Sequence, residues 1–246
     1  MAGEQLKVVD ASKTFYTEWG KVEVLRSVSL TAARGEFLSV VGVSGCGKTT
    51  LLRIIAGLEQ PSGGEVFCNG VRVSGPGSDR AVVFQEPRLF PWLNVEQNIA
   101  FGLKQRNEAA RRVVEQALEL VGLSAFRQAY PHELSGGMAQ RVAMARALAF
   151  EPEALLMDEP FSALDAQTRT HMQSELQEIW RRTGKTILLV THSIAEALLL
   201  SQRICIMTSA PGRFREVVEV DLPYPRDPDA PEFIRLKKYI LTQLTA

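Results

Sequence analysis

The chain has 246 residues, of which 46% are hydrophobic and 23% are charged, a length and composition typical of one large globular domain. Its 28 basic and 28 acidic side chains give a formal net charge of zero. This balance argues against a general nucleic-acid-binding protein, which needs an excess of basic residues. Three widely spaced cysteines predict no disulfide framework, and no apolar run reaches the roughly 18 residues of a membrane span.

The first part of the chain alternates predicted strands with one predicted helix. Strands are predicted over residues 6–10, 22–31, 36–41 and 81–85, with a hairpin over 66–73. The strand at 36–41 is an almost continuous apolar run, as in a buried parallel strand. The helix is predicted over 49–58, where apolar residues recur at helical spacing.

Strand patterns stop after Glu86 and return only near residue 154. The intervening residues have helical patterns, so we predict an all-helical lobe over 87–150, inserted into an α/β core formed by 1–86 and 151–222. Further core strands are predicted over 154–157, 186–191, 203–208 and 217–222, with helices over 167–182 and 193–201. Together these segments predict a single domain over residues 1–246.

The tail at 223–246 begins with several prolines, which predict a stiff linker. A final helix follows, with one apolar face formed by Phe233, Leu236, Ile240 and Leu244. This helix carries few basic residues, so we expect it to pack on its own domain and not on a membrane.

A glycine-rich sequence at residues 42–49 matches the GxxxxGK[ST] pattern of a phosphate-binding loop. A buried strand precedes it and a helix follows it, which favours this interpretation over a turn without a ligand. The glycines let backbone N–H groups point toward one centre and form a concave anion site. Lys48 is predicted to reach the β- and γ-phosphates, and the Thr49 hydroxyl to bind Mg²⁺. The predicted ATP contacts here are Gly42, Ser44, Gly45, Cys46, Gly47, Lys48, Thr49 and Thr50.

The predicted strand at 154–157 runs directly into Asp158 and Glu159. In open α/β sheets, ligands lie beyond the carboxyl ends of the strands, so both carboxylates are expected near the phosphate-binding loop. Asp158 is suited to hold Mg²⁺ together with Thr49. Glu159 is a candidate to polarise a water molecule that faces the γ-phosphate. The alternative is an acidic pair that faces solvent.

Two more polar residues follow predicted strands at the same edge of the sheet. His192 follows the strand at 186–191 and is placed to contact the γ-phosphate or Glu159. Gln85 ends another strand, and its amide can hold a water molecule or a metal-bound water, so it is also a candidate at the Mg²⁺ site. The predicted catalytic residues are Lys48, Gln85, Glu159 and His192.

The sequence LSGG at residues 134–137 opens a second strongly predicted helix. Ser135 and two glycines form a helix N-terminus suited to an anion, although the loop at 42–49 already provides a phosphate site. LSGG together with a phosphate-binding loop resembles the ABC ATPase family. The resemblance implies a head-to-tail homodimer in which Ser135 and Gly137 contact the γ-phosphate of the ATP held by the other subunit.

The resemblance covers nearly the whole chain and assigns further roles by position. It implies that Glu159 is the general base, that Gln85 and His192 belong to the Q-loop and H-loop, and that Asp165 belongs to a D-loop at 162–165. The chain departs from the family's pattern at two positions: Met138 follows the glycines of the LSGG signature, where Gln is often found, and Ser193 follows His192, where Asp is common. Neither departure removes a side chain that is assigned to the chemistry. The expected fold is a P-loop NTPase (RecA-like) core with a mostly parallel sheet, an antiparallel β subdomain and an inserted all-helical lobe.

The same resemblance places an aromatic residue against the adenine of ATP. Phe15 stands at that position, and neighbouring Tyr16 is the alternative.

Residues 84–93, 157–165 and 211–213 are similar to the nitrate/sulfonate/taurine importer branch of the family. This similarity implies uptake of a small anion such as nitrate, a sulfonate or taurine, through a separate membrane permease and with a solute-binding protein. The chain would then lie at the cytoplasmic face of the inner membrane, as a peripheral subunit. The alternatives are the ATPase of an exporter or of another solute system and, less favoured, a soluble ABC ATPase without a transport role.

The apolar cluster at 89–93 directly follows Gln85. Part of it is expected to fill the core of the helical lobe, and part to line a groove for a permease helix, because exposed apolar patches mark partner sites.

Cys46, within the phosphate-binding loop, also has two interpretations. It is either a small residue that fits the loop, or a thiol whose pKa is lowered by the helix N-terminus and which ATP would protect from alkylation.

Overall fold

Two β-sheets form the framework of the protein in this computed structural model, which describes residues 3–103, 107–162 and 164–245. Ala163, within the predicted D-loop, lies outside the described residues. The strands are β1 (Glu4–Thr17), β2 (Gly20–Ala33), β3 (Phe37–Gly42), β4 (Gly63–Cys68), β5 (Val71–Arg72), β6 (Arg80–Val83), β7 (Ala154–Asp158), β8 (Thr186–Thr191), β9 (Arg203–Met207) and β10 (Phe214–Glu219). The α-helices are α1 (Lys48–Ile55), α2 (Val95–Ala100), α3 (Glu108–Leu120), α4 (Gly136–Leu148), α5 (Ala166–Thr183), α6 (Ile194–Leu200) and α7 (Pro231–Thr245).

The larger sheet has the strand order β10-β9-β3-β8-β7-β6, and its strands are parallel apart from β10. Every residue of β3, β7 and β8 is buried, because alternate side chains enter core clusters on opposite faces of the sheet. The smaller sheet, in the order β2-β1-β4-β5, is antiparallel. The predicted fold class, a mostly parallel core sheet with an antiparallel β subdomain, is confirmed.

Strands β1 and β2 are each 14 residues long, longer than the alternation pattern predicts. Their pairing contains register shifts, and Asp10 and Ser27 have positive φ angles of 48°. The Asp10 carboxylate accepts hydrogen bonds from the hydroxyls of Ser27 and Ser29, at 3.0 and 3.1 Å. Bulges of this kind break the two-residue repeat of side chains while the strand continues.

Between β6 and β7 the described residues form helices and turns and contain no strand, as predicted for the inserted lobe. Helix α3 buries Val114, Ala117 and Leu118, and α4 is buried along most of its length. Both pack into the core cluster that also contains alternate side chains of β7 and β8. The lobe is therefore joined to the larger sheet by a continuous apolar core.

Three predicted boundaries were wrong. Helix α1 begins at Lys48 and ends at Ile55, which leaves Leu58 exposed beyond it. Strand β6 ends at Val83, so Gln85 lies after the strand and not in it. Strand β10 is Phe214–Glu219 because it pairs antiparallel with β9 from Phe214 onward, a contact that local sequence does not reveal.

Helix α7 packs on its own domain, as predicted, through Phe233 and Ile240. The linker before it is fixed by Arg226, whose guanidinium donates to the carbonyls of Leu198, Ser201, Val220 and Leu222. In the part of the chain that the structure describes, no helix is both long and apolar enough to cross a membrane.

Candidate functional site

The loop between β3 and α1 is held in a tight turn by its glycines. Gly45 and Gly47 have φ angles of 79° and 100°, a region that residues with a Cβ atom rarely adopt. A Cβ atom on Gly47 would also lie 2.7 Å from a methyl group of Leu25 on β2. The turn places the N-terminus of α1 behind the loop, where the helix dipole favours an anion.

Cys46 lies inside this loop, and its side chain is fully buried. Burial raises the pKa of the Cys46 thiol, and the nearby Lys48 opposes the shift only in part. The interpretation of Cys46 as a thiol with a lowered pKa is therefore wrong, because desolvation outweighs the helix N-terminus. Cys46 is instead a small buried residue next to Gly42, where a Cβ atom would lie 2.5 Å from its Sγ atom.

The amino group of Lys48 lies within the same turn. Its Nζ atom donates to the carbonyls of Gly42 and Val43, at 2.8 and 3.1 Å, and lies 4.0 Å from Oε1 of Glu159. Only 5% of the Lys48 side chain is exposed, so its charge is partly desolvated and acts strongly at short range.

Thr49 and Asp158 come from different elements and meet at the carboxyl edge of the sheet. The Thr49 hydroxyl donates to Oδ1 of Asp158 at 2.9 Å. Burial raises the pKa of Asp158, while the hydrogen bond from Thr49 lowers it. Among the described residues, no group of three or more His, Cys, Asp or Glu side chains could hold a metal ion. The hydroxyl and carboxylate oxygens fit Mg²⁺, which usually binds one or two carboxylates plus water and substrate phosphates.

Glu159 follows Asp158 at the end of β7 and turns sharply out of the strand. Its φ angle of 46° is uncommon for a residue with a side chain, and its backbone N–H donates to Val190 on β8 at 2.8 Å. The carboxylate then lies between two groups, with Oε1 4.0 Å from the Lys48 amino group and Oε2 2.8 Å from Nδ1 of His192. The His192 ring is 58% exposed, so the pair faces the surface at this edge.

Gln85 is exposed just beyond β6, and the backbone around it is held by helix α4. Gln140 donates to the Phe84 carbonyl at 3.2 Å, and Arg146 donates to the carbonyls of Pro87 and Arg88, both at 2.9 Å. Sequence reasoning assigned no role to Gln140 or Arg146. The signal for them was the presence of polar and charged side chains, Gln140, Arg141 and Arg146, in a helix that is otherwise apolar.

Ser135 is the exposed N-cap of α4, and its hydroxyl accepts a hydrogen bond from the backbone of Met138 at 3.2 Å. Gly137 is packed against Thr168, because a Cβ atom there would lie 2.5 Å from the threonine methyl group. Asp165 caps α5 by accepting from the backbone of Gln167 and Thr168, and its pKa is lowered by the hydrogen bonds from Thr168. The signature and D-loop residues therefore meet where α4 contacts α5.

Phe15 lies on β1 opposite Val22 of β2, and the exposed Tyr16 lies opposite Lys21. Side chains alternate across a strand, so the two aromatic rings leave opposite faces of the hairpin. Val24 lies two residues after Val22, and one of its methyl carbons is 3.2 Å from the position of a Cβ atom on Gly47. Leu25 also approaches Gly47, and the strand pairing shifts register between Lys13 and Thr14, so these contacts show that the hairpin lies beside the phosphate-binding loop.

A groove of about 740 Å³ opens between the segment after Gln85 and helix α4. Four phenylalanines contribute to its wall, and the rings of Phe90 and Phe101 are tilted at 36° with centroids 4.1 Å apart. Trp92 packs beside Phe90 and is 69% exposed, whereas Leu89 packs into the core of the helical lobe. The groove is lined by Phe84, Phe90, Phe101 and Phe150 together with Arg80, Arg88 and Arg146.

The parallel sheet, the glycine-rich loop, and the carboxylates at its edge define a P-loop nucleotide-binding protein. Residues 25–162 match the family model described as ABC transporter. The chain is 50% identical over 223 residues to the aliphatic sulfonates import ATP-binding protein SsuB of Bacillus licheniformis, covering 91% of this chain and 88% of the relative. It is also 49% identical over 243 residues to an uncharacterized ABC transporter ATP-binding protein of Methanocaldococcus jannaschii, covering 98% and 91%.

A solved dimeric ATP-binding cassette, MJ0796 bound to ADP and Pi, matches with a TM-score of 0.77 and 31% identity, over 89% of this chain and all of that chain. These matches show that the protein belongs to the ABC transporter family. It is an ATP-binding ATPase subunit of that family.

Proposed function

We propose that this ATPase powers the uptake of a small anion, with an aliphatic sulfonate as the first candidate, through a separate membrane permease. The observation that carries the ATPase part of the proposal is the position of Glu159 between Lys48 and His192, beside the Thr49–Asp158 pair. The sulfonate assignment rests on the names of relatives such as SsuB and on the similarity at residues 84–93, 157–165 and 211–213. Nitrate and taurine are the other candidate solutes.

In the proposed reaction, backbone N–H groups of residues 42–49 and the Lys48 ammonium bind the β- and γ-phosphates of ATP. Thr49 and Asp158 would hold Mg²⁺, with Gln85 contacting a metal-bound water, and the ion would neutralise charge on the transferred phosphoryl group. Ser44, Gly45 and Thr50 are proposed to contact the phosphates as well. At the other end of the nucleotide, Phe15 is proposed to stack on adenine, from the hairpin that lies beside Gly47.

Glu159 is the proposed general base. It accepts a proton from the attacking water as the water oxygen bonds to the γ-phosphorus, and the bond from that phosphorus to the β–γ bridging oxygen breaks to release ADP. His192 orients the carboxylate through the 2.8 Å contact and faces the γ-phosphate with its exposed edge. Gln85 contacts the attacking water through its amide.

Two copies are proposed to form a head-to-tail homodimer on binding ATP. The exposed N-cap Ser135, together with Gly137, which lies two residues later and is buried against Thr168, would contact the γ-phosphate held by the opposite subunit, with Asp165 beside them. The similarity to a cassette solved as a dimer with ADP and Pi supports this arrangement. Hydrolysis then removes the ligand that joins the subunits, and the dimer opens.

The aromatic groove is the proposed site for a helix of the permease. Its apolar wall suits an amphipathic helix, and the exposed Arg88 favours an acidic group on that helix. Arg146 contacts the groove and also the carbonyls after Gln85, so a shift of the bound helix would reach Gln85 through one side chain.

We further propose a peripheral position at the cytoplasmic face of the membrane, an indirect link to a solute-binding protein, and no role for nucleic acid.

For the domain organisation we propose one cassette, with a core at 1–86 and 151–222, a helical lobe at 87–150 and a C-terminal extension at 223–246.

The test of the function is uptake of radiolabelled ethanesulfonate, taurine or nitrate by cells that produce the chain with its permease and solute-binding protein. Uptake that is lost in Lys48→Ala identifies the solute. Outward movement, or no Lys48-dependent transport of any of the three, would contradict the proposal.

A further inference from the structure

A buried carboxylate lies behind the Glu159–His192 pair and was not assigned a role by its sequence pattern. Glu196 is on the first turn of α6, and 7% of the residue is exposed. Burial raises the pKa of Glu196, opposed by a hydrogen bond from Thr191 and by the charges of Arg169 and His192, while the charge of Glu159 adds to the shift. Burying a charged carboxylate costs free energy unless hydrogen bonds and an ion pair compensate for the lost water.

The first set of partners encloses His192. Thr191 donates from its hydroxyl to Oε2 of Glu196 at 2.6 Å, and the same hydroxyl accepts from the backbone N–H of Ser193 at 3.0 Å. The Ser193 hydroxyl in turn accepts from the backbone N–H of Glu196 at 3.3 Å. The residues on both sides of His192 therefore belong to one closed ring of hydrogen bonds that includes the Glu196 side chain.

The second partner leads to the segment after Glu159. Arg169 on α5 lies 3.8 Å from Oε1 of Glu196, and it donates to the carbonyls of Phe161 and Leu164 at 3.3 and 2.8 Å. That segment is connected back to the proposed base, since the Ser162 hydroxyl donates to the carbonyl of Glu159 at 3.0 Å. One carboxylate thus joins the backbone around His192 to the backbone around Glu159.

We propose that Glu196 is a positioning residue for ATP hydrolysis, which fixes His192 and the backbone at Phe161 and Leu164 relative to Glu159. This inference rests on the proposed roles of Glu159 and His192. Glu196 acts through its neighbours and does not touch the nucleotide. Its loss lets the His192 ring and the backbone at Phe161 and Leu164 move independently, so the carboxylate of Glu159 is no longer held in one orientation.

The test compares Glu196→Ala and Glu196→Gln in the full-length protein, with kcat and KM for ATP measured separately. We expect Glu196→Ala to lower kcat by about 10-fold or more, because misplacement of a catalytic group on the order of 1 Å is costly, with KM changed less than about threefold. Glu196→Gln keeps the oxygen that accepts from Thr191, so it should restore part of kcat. Thr191→Val, which removes the hydroxyl at nearly constant volume, provides a second variant if Glu196→Ala does not fold.

Glu36 supplies the matched control. It is also 7% exposed and paired with an arginine, at 3.0 Å from Arg203, but it precedes β3 at the opposite end of the sheet. Glu36→Gln should lower the thermal unfolding midpoint and leave both kcat and KM of the folded protein unchanged. If the Glu196 variants lose activity only in proportion to lost folded protein, as the Glu36 variant would, the positioning role is wrong.

A double-mutant cycle that combines Glu196→Ala with His192→Ala tests whether Glu196 acts on hydrolysis through His192. Glu196→Ala should cost little further activity when His192 is already absent, since residues that act as a unit are not additive. If the losses of activity caused by the two substitutions are fully additive, the positioning role of Glu196 is wrong, but the proposed reaction still stands. A wild-type protein without Lys48-dependent ATP hydrolysis would instead overturn the proposed reaction itself, so the two failures are distinguishable.

Discussion

The Nδ1 atom of His192 lies 2.8 Å from Oε2 of Glu159, and the other carboxylate oxygen faces Lys48 at 4.0 Å. This geometry makes Glu159→Gln the most direct test of the chemistry. The amide keeps the shape of the side chain but cannot accept the proton of the attacking water. We expect kcat to fall by at least about 100-fold while ATP still binds.

The same variant should accumulate as an ATP-bound dimer, because the nucleotide that joins the subunits is no longer cleaved. Size-exclusion chromatography in saturating ATP and Mg²⁺ measures this. Glu178→Gln, an exposed change on α5, is the control and should behave as wild type. A Glu159→Gln protein that stays monomeric would contradict the dimer scheme.

Lys48→Ala should abolish most ATP binding. The Lys48 amino group lies inside the loop, 2.8 Å from the Gly42 carbonyl, and its charge is little screened by solvent. Loss of charge-assisted hydrogen bonds to two phosphates weakens affinity by more than about 10-fold. Equilibrium binding of a fluorescent ATP analogue checks this, with Lys237→Ala on the exposed side of α7 as the control. Unchanged affinity and turnover would remove the basis of the proposed function.

Phe15→Ala and Tyr16→Ala distinguish the two candidates for the adenine contact. Phe15 and Tyr16 lie on opposite faces of the β1–β2 hairpin, which lies beside the phosphate-binding loop, so only one of the two rings can stack on the adenine. Base stacking on an aromatic ring is worth about 1–3 kcal/mol, so Phe15→Ala should raise the KM for ATP by roughly 5- to 100-fold. Tyr16→Ala should leave KM within about twofold by the same reasoning. The opposite result would transfer the role to Tyr16.

The aromatic groove is tested by the double variant Phe90→Ala with Trp92→Ala in the assembled transporter. The exposed Trp92 and the groove-lining Phe90 are expected to carry much of the contact with the permease helix, since buried aromatic residues dominate interfaces. We expect transport to fall at least about 10-fold with ATPase activity of the isolated subunit unchanged. Normal coupling in this variant would place the permease contact elsewhere.

Cysteine labelling tests the corrected interpretation of Cys46. Burial raises the pKa of the Cys46 and Cys68 thiols and raises that of Cys205 to about 12, so few thiolates are present at neutral pH. All three should react slowly with iodoacetamide in the native protein, with or without ATP, and rapidly after denaturation. The native rate should rise with pH above neutrality, because deprotonation is the limiting change. Fast labelling of Cys46 that ATP blocks would restore the rejected interpretation.

Sequence alone was sufficient for the features that depend on local pattern. The glycines of residues 42–49 can adopt the positive φ angles that the tight loop requires, and the buried strand before them fixes where the loop emerges. The same holds for the pair Asp158–Glu159 and for the N-cap Ser135. In each case a short stretch of chain contains both the chemical group and the element that presents it.

The tertiary structure decided what depends on contacts between distant segments. The burial of Cys46, the hydrogen bonds by which Gln140 and Arg146 hold the backbone around Gln85, and the contact of Glu196 with Arg169 all depend on residues far apart in the chain. The bulges at Asp10 and Ser27 and the start of β10 likewise depend on strand pairing. Sequence periodicity reports which face of an element is apolar, but the partner that covers that face, and the solvent it excludes, exist only in the folded chain.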